Sequence, residues 1–232
     1  MRQRRVAVLV IALLSLVEGL LWTYRNGLPA ALSKATRVAG VQAVGAAADD
    51  AVFEDALKGK LGEGWSWLRE NPKNWRHSDN GLEIRVEPGL AATVQNALVR
   101  KAPDRTEGKV AIEVTVDFTS APTRQYEQAG ITWYQGDKPV FKLVHEFIDK
   151  KLYIIPGKKP ADTHVVQLRL VVSKDAYIAQ FRLDAKGDFQ TSASGKLAPA
   201  RDDKVSIQCY NGPADAEHWM RFSDFRIVKV PE

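Results

Sequence analysis

From Leu82 to Glu87 apolar and charged residues alternate without a break, with Leu82, Ile84 and Val86 on one side and Glu83, Arg85 and Glu87 on the other. Successive side chains of an extended chain point to opposite faces, so this stretch predicts a strand with one greasy face and one wet one. Val110, Ile112, Val114, Val116 and Phe118 repeat the pattern against Ala111, Glu113, Thr115 and Asp117, and Val166, Leu168, Leu170 and Val172 repeat it again. Turn residues separate such runs. Asp79-Asn80-Gly81 tolerates positive φ and predicts a reversal just before Leu82. The expected strands cover 52–55, 64–69, 74–78, 81–87, 97–101, 109–118, 129–135, 139–147, 151–155, 164–172, 176–183, 204–210 and 219–229. No long helical period interrupts them. So many short strands at even spacing predict an all-β fold, a two-sheet antiparallel jelly-roll sandwich.

The first fifty residues break the pattern. Arg2, Arg4 and Arg5 precede the apolar run Val6–Val17, the order of a secretory signal. Residues 1–22 are therefore expected to be a signal peptide, or a signal anchor that holds the chain to a membrane if uncleaved, although Glu18 and the short run disfavour a stable span. Residues 23–50, rich in Ala and Gly, read as a linker, and residues 51–232 as one domain. The expected location is outside the cytoplasm: periplasmic, cell-surface or extracellular.

Charge removes one class of partner. Of 33 basic and 28 acidic residues, residues 1–48 hold six (Arg2, Arg4, Arg5, Arg25, Lys34, Arg37) and one (Glu18), leaving 27 of each in residues 49–232. A balanced body does not predict a nucleic-acid surface. Cys209, the single cysteine, excludes an internal disulfide and shares a face with Val205 and Ile207, so it reads as a buried thiol.

Four blocks carry a family likeness: Phe53-Glu54-Asp55 with Gly64–Pro72 and Trp75; Tyr126–Ile131; Phe141–Asp149; and Arg221–Ile227. In these residues the chain resembles the bacterial concanavalin A-like sandwich family numbered 1349 among domains of unknown function, related to the C-terminal domain of family-43 β-xylosidases. The resemblance implies a fold whose concave face often meets carbohydrate, and no settled activity. Where the family has Asp-Gly, this chain has Asp149-Lys150-Lys151. A non-glycine residue in a left-handed turn costs about 1–2 kcal/mol, which predicts another turn type or loop length there.

Glycan-binding sandwiches stack sugar rings on aromatic side chains and ring them with charged groups. Trp65, Trp67, Trp75, Trp133 and Trp219, with Tyr126, Tyr134, Tyr153, Tyr177 and Tyr210, supply rings, although strands also use such residues to fill a core. Parity narrows the choice. Lys142, Val144 and Glu146 share one face of their strand and Phe141, Leu143 and Phe147 the other, with Lys142 and Glu146 about 13 Å apart along the backbone. The expected ligand-binding residues are Trp67, Arg69, Glu70, Thr132, Tyr134, Lys142 and Glu146. Arg69 and Glu70 read equally well as a surface ion pair, and Lys142 and Glu146 as a solvated face.

Catalysis finds less support. The Glu-x-Asp-x-x-Glu strand of retaining glycosidases with this architecture is absent. Glu83 with Glu87, and Glu113 with Asp117, keep the right parity but lie in plain alternating strands and are expected to be exposed. If the chain were a glycoside hydrolase on a modified sugar, Glu146, Glu127 and Asp137 would be its first candidate acids. His145 reads as a core histidine. No spacing suits zinc. Sandwiches of this kind often hold one structural calcium where first and last strands meet, and Glu54, Asp55 and Asp224 offer oxygen ligands. The alternative is that Asp55 and Asp224 satisfy backbone amides at strand ends or at a bulge near Ser223. No other cofactor is implied. Three functions remain open: carbohydrate binding, a glycoside hydrolase, and an interaction domain at the cell envelope.

Overall fold

The alternating apolar positions close on one another across two antiparallel sheets in the computed structural model, which describes residues 51–231. The expected signal or anchor (residues 1–22) and linker (23–50) lie outside the described residues. The first sheet contains β1 (Ala51–Asp55), β3 (Trp75–Ser78), β4 (Gly81–Arg85), β6 (Lys109–Phe118), β11 (Val165–Val172), β12 (Ala176–Arg182), β13 (Gln190–Lys196) and β15 (Trp219–Val230). The second contains β2 (Ser66–Leu68), β5 (Ala97–Lys101), β7 (Gln128–Gln135), β8 (Lys138–Ile148), β9 (Lys151–Ile155), β10 (Lys159–Pro160) and β14 (Asp203–Tyr210). Strand order is β13-β12-β11-β6-β15-β4-β3 in one and β10-β9-β8-β7-β14-β5-β2 in the other. The long β15 carries β4 along its first half and β1 along its second. The described residues contain no helix.

Side chains that alternate inward fill the gap. Ile112, Val114, Val116 and Phe118 of β6 pack with Leu168 and Leu170 of β11 and face Ala129, Ile131 and Trp133 of β7 and Val205, Ile207 and Cys209 of β14. Rings shut the sandwich at its margins. Trp67 of β2 stacks on Trp75 of β3 at 4.8 Å, joining the two sheets, and Phe141 of β8 meets Tyr177 of β12 at 4.2 Å. Phe53, Trp65 and Phe225 close a third corner edge to face.

Several local expectations change. The reversal before β4 occurs, but its unusual backbone belongs to Gly81, φ +144°, where an added Cβ would clash with Phe222 O; Asp79 and Asn80 stay at ordinary φ. The β8–β9 hairpin keeps a two-residue loop despite lacking glycine. Ile148 pairs with Lys151, and Asp149 and Lys150 both adopt positive φ (52° and 64°). Gln125 clamps that turn: its Oε1 accepts from Asp149 N and its Nε2 donates to Asp149 Oδ1. Two strands lie outside the expected pattern, the two-residue β10 and the edge strand β13. The edge strand β13 (QTSASGK) has no apolar alternation, and its inward Ser192 satisfies itself by donating to Ala179 O.

Glu83 and Glu113, expected to be exposed, are buried between arginines on the outer face of the first sheet. Cross-strand register sets Arg76 against Glu83, Glu83 against Arg221, and Arg221 against Asp117. Glu113 lies between Arg226 and Arg169 in the same manner. Alternating sign across neighbouring strands holds the carboxylates where alternation alone predicts water.

β9 covers β8 only from Val144 to Ile148, which leaves the Lys138–Leu143 half of β8 with a free edge on that side. A bulge at Val140, between the pairs Trp133–Phe141 and Tyr134–Pro139, breaks the regular pairing of this half.

Candidate functional site

With Ala129, Ile131 and Trp133 committed to the core, β7 turns Gln128, Gly130, Thr132 and Tyr134 to the opposite face of the second sheet. Antiparallel register brings Ser206, Gln208 and Tyr210 of β14 and Lys142 and Glu146 of β8 to the same face. This face is polar, yet Thr132, Tyr134, Ser206, Gln208 and Tyr210 are buried. The loop Val86–Asn96 roofs it. Tyr134 OH donates to Ala91 O (2.7 Å) and lies 2.8 Å from Gln208 Oε1, and Arg69 Nε donates to Val94 O (2.6 Å). Burial raises the Tyr134 phenol pKa, with the Arg69 guanidinium acting against it, and burial also raises Tyr210, so both phenols stay protonated.

Beside the roof, the face opens at the free edge of β8 into a depression of about 480 Å³. Thr132 and Lys142 line it on the sheet side, Ala91 on the loop side, and Phe141, Ile155 and Tyr177 supply apolar wall. Lys142 Nζ donates to Gln128 Oε1 (2.6 Å) and to Glu146 Oε2 (3.2 Å). The two side chains thus bridge a backbone separation of four residues. Thr132 lines the depression, yet its buried Oγ1 has no hydrogen-bond partner among the described residues, nor do the buried Arg69 Nη2, Asn96 Nδ2 and Gln208 Nε2. Buried polar atoms are nearly always paired, so a group of four unpaired ones marks a place where polar matter is wanted.

Of the residues proposed from sequence, Arg69, Thr132, Tyr134, Lys142 and Glu146 meet on this face, and Trp67 and Glu70 do not. Trp67 faces the core and its partner Trp75, so it offers no stacking platform. Glu70 accepts from Trp75 Nε1 (3.2 Å) instead of pairing with Arg69. Tyr134 is fully buried under the roof and cannot serve as an open ring. The half-buried rings near the opening are Phe141, which parity places on the face opposite Lys142, and Tyr177, one of the rings that the sequence offers without a face. Gln128, Asn96, Ser206 and Gln208 went unrecognised. Alternation in Val205–Tyr210 holds the signal for two of them, but the neighbour that gives it meaning, β7, is fixed only by the fold.

The candidate acids do not assemble. Glu127 precedes Gln128 and turns to the other face from Glu146, where it is fully buried, bonds His218 Nδ1 at 2.8 Å and accepts from Thr123 N. Asp137 sits exposed on the β7–β8 turn, paired with Lys204 Nζ at 3.1 Å. Glycosidase chemistry needs two carboxyls flanking one bond, and these three lie apart, Glu127 in the interior, Glu146 on the outward face and Asp137 on a turn. Glu54, Asp55 and Asp224 line one depression where β1 pairs with β15, as the sequence places them, but their carboxylates do not cluster as a metal site. Asp55 is occupied by Leu57 N, Gly62 N and Trp65 Nε1, and Asp224, at φ 53°, forms the bulge after Ser223 and accepts from Ser223 Oγ. Among the described residues no three His, Cys, Asp or Glu side chains cluster as a metal site. His145 is a core histidine: its ring packs against Phe118, and its Nε2 meets Ala161 O at 2.9 Å.

No protein-family model matches the chain, and no curated protein matches its sequence. Its fold is similar to that of several solved glycoside hydrolases. Bacteroides ovatus xyloglucan PUL GH43B superposes with a TM-score of 0.60 at 15% identity over 76% of this chain and 39% of that one. The GH43 protein BlXynB from Bacillus licheniformis gives 0.59 at 18% identity over 76% and 39%. Xylan β-1,4-xylosidase from Bacillus halodurans C-125 gives 0.56 at 13% identity over 76% and 39%. The chain thus spans about two fifths of the length of these proteins, and what it shares with them is an all-β, two-sheet sandwich.

Proposed function

We propose that this chain is an exported, non-catalytic carbohydrate-binding sandwich domain that holds its ligand in the depression beside Thr132 and Lys142. One observation carries the reading: Thr132, whose buried Oγ1 has no partner among the described residues, lines an open pocket together with a partly exposed lysine and two rings. Sugars present hydroxyls on their edges and apolar C–H faces, the complement of such a surface. The similarity to sandwich regions of family-43 hydrolases supports a glycan ligand, as does the resemblance to family 1349 in Gly64–Pro72 and Phe141–Asp149. Glu127 and Glu146 on opposite faces support binding without turnover.

The test is affinity electrophoresis of the full chain in gels cast with xylan, arabinan or uronate-bearing polysaccharide, with chromatography for released sugar. Retention without product is expected. Thr132→Val, which keeps shape and removes only the unpaired hydroxyl, should weaken retention about fivefold while the melting temperature holds or rises. Sugar release, or undiminished retention by that variant, would overturn the reading.

A further inference from the structure

The lysines of this domain are not spread evenly. Residues 138–160 hold six lysines against two acids, Glu146 and Asp149, although bases and acids cancel over residues 49–232. These residues form β8, β9 and β10, the margin of the second sheet where the depression opens. Leu152 and Ile154 face the core, so Lys151, Tyr153 and Ile155 line the same outward face as Lys142 and Glu146. Ile155 borders the depression itself, which makes β9 a continuous path away from it.

Along that path the cations are loosely held. Lys158 Nζ lies 5.4 Å from the centre of the Tyr153 ring and 4.0 Å from Asp149 Oδ2, with both charged side chains more than half exposed. Such a pair is screened by water and yields readily to a competitor. Asp149 also has another partner, Gln125 Nε2 at 3.1 Å. Lys151 forms no ion pair among the described residues. Tyr153 is half-buried, a ring fixed in place with a cation at its side.

We propose, resting on the reading above, that the glycan is anionic: a polysaccharide bearing carboxylates, which leaves the depression along the outward face of β9, over Tyr153 and toward Lys151 and Lys158. Lys142 is committed to Gln128 and Glu146 and orders the depression, whereas Lys151, without an ion pair among the described residues, and Lys158, held only by an exposed 4.0 Å pair with Asp149, can meet carboxylates on successive sugars. A chain of fixed negative charges gains from several exposed cations in a row what a single neutral sugar cannot.

The experiment compares retention of the full chain by polygalacturonate, alginate and glucuronoxylan with retention by the same polymers after chemical reduction of their carboxyls. The acidic polymers should retain it at about 0.05 M salt and release it at about 0.5 M, since exposed charges are screened over that range. The double variant Lys151→Ala, Lys158→Ala should bind about tenfold more weakly, at about threefold per lysine, with an unchanged melting temperature. Equal retention by native and reduced polymers would overturn the anionic preference and leave glycan binding standing. Loss of retention by every polymer, charged and neutral, would overturn both. Sedimentation with phosphatidylserine vesicles in place of polymer retention would assign the lysines to a membrane surface and overturn the proposal.

Discussion

His145 shows how a single ring couples this fold to pH. Burial pushes its pKa from 6.5 down to about 4. A carbonyl only accepts, so the neutral ring carries its proton on Nε2 toward Ala161 O. The unfolded chain restores the ordinary value, and between pH 6.5 and 4 it binds a proton that the folded chain refuses. Stability is therefore complete above pH 6.5 and falls as pH drops through that window, by on the order of 3 kcal/mol at its foot. Urea midpoints measured from pH 7 to 4 should show this decline, and His145→Gln, whose amide can still donate to Ala161 O, should flatten it. An unchanged slope in the variant would place the titration elsewhere. Cys209 is the opposite case: burial raises its thiol pKa well above the ordinary value, so it stays protonated and inert in the folded protein.

At the scale of strands and turns, the β8–β9 hairpin carries an avoidable cost. Lys150 sits at φ 64°, where a side chain costs about 1–2 kcal/mol and glycine almost nothing. Glycine also loses more backbone freedom on folding, so Lys150→Gly should stabilise by a net of about 0.5–1 kcal/mol, seen as a higher urea midpoint. Strands with strict alternation, such as β6 and β11, are legible from the chain because their pattern and their burial have the same cause. β13 is not, because a polar edge strand is defined by its neighbour β12 and by Tyr177 pressing on Gly195. The candidate site was half legible for a related reason. Parity put Lys142 and Glu146 on one face and Thr132 and Tyr134 on another strand's matching face, but only the roof from Val86 to Asn96 decides that Tyr134 is sealed and Thr132 borders open space. Trp67 illustrates the converse: nothing local says whether a strand tryptophan faces sugar or core, and its stack on Trp75 exists only once two distant strands meet.

The sandwich as a whole is tied together by Arg105, which lies between β5 and β6 and is almost wholly buried. Its guanidinium donates to Asp203 Oδ2 (3.0 Å) at the head of β14, to Ser173 O (2.9 Å) and Lys174 O in the β11–β12 turn, and to Ala198 O (2.5 Å) beyond β13. One side chain thereby fastens both sheets at the same end. Breaking a buried pair leaves its partner charge uncompensated, so Arg105→Met should cost about 3–5 kcal/mol, read as a large fall in melting temperature. Arg105→Lys, which cannot reach four acceptors from a fork, should recover only part of the loss.

The half of β8 that runs past the end of β9 has a meaning beyond the pocket. A naked strand margin invites a neighbouring molecule to add its own strand, the route by which β-proteins clump. Pro139, which has no amide hydrogen to offer, and the kink at Val140 spoil that template in the stretch where it would otherwise be longest. The rim of the depression thus stays open to solvent while offering a neighbouring strand no regular ladder to extend.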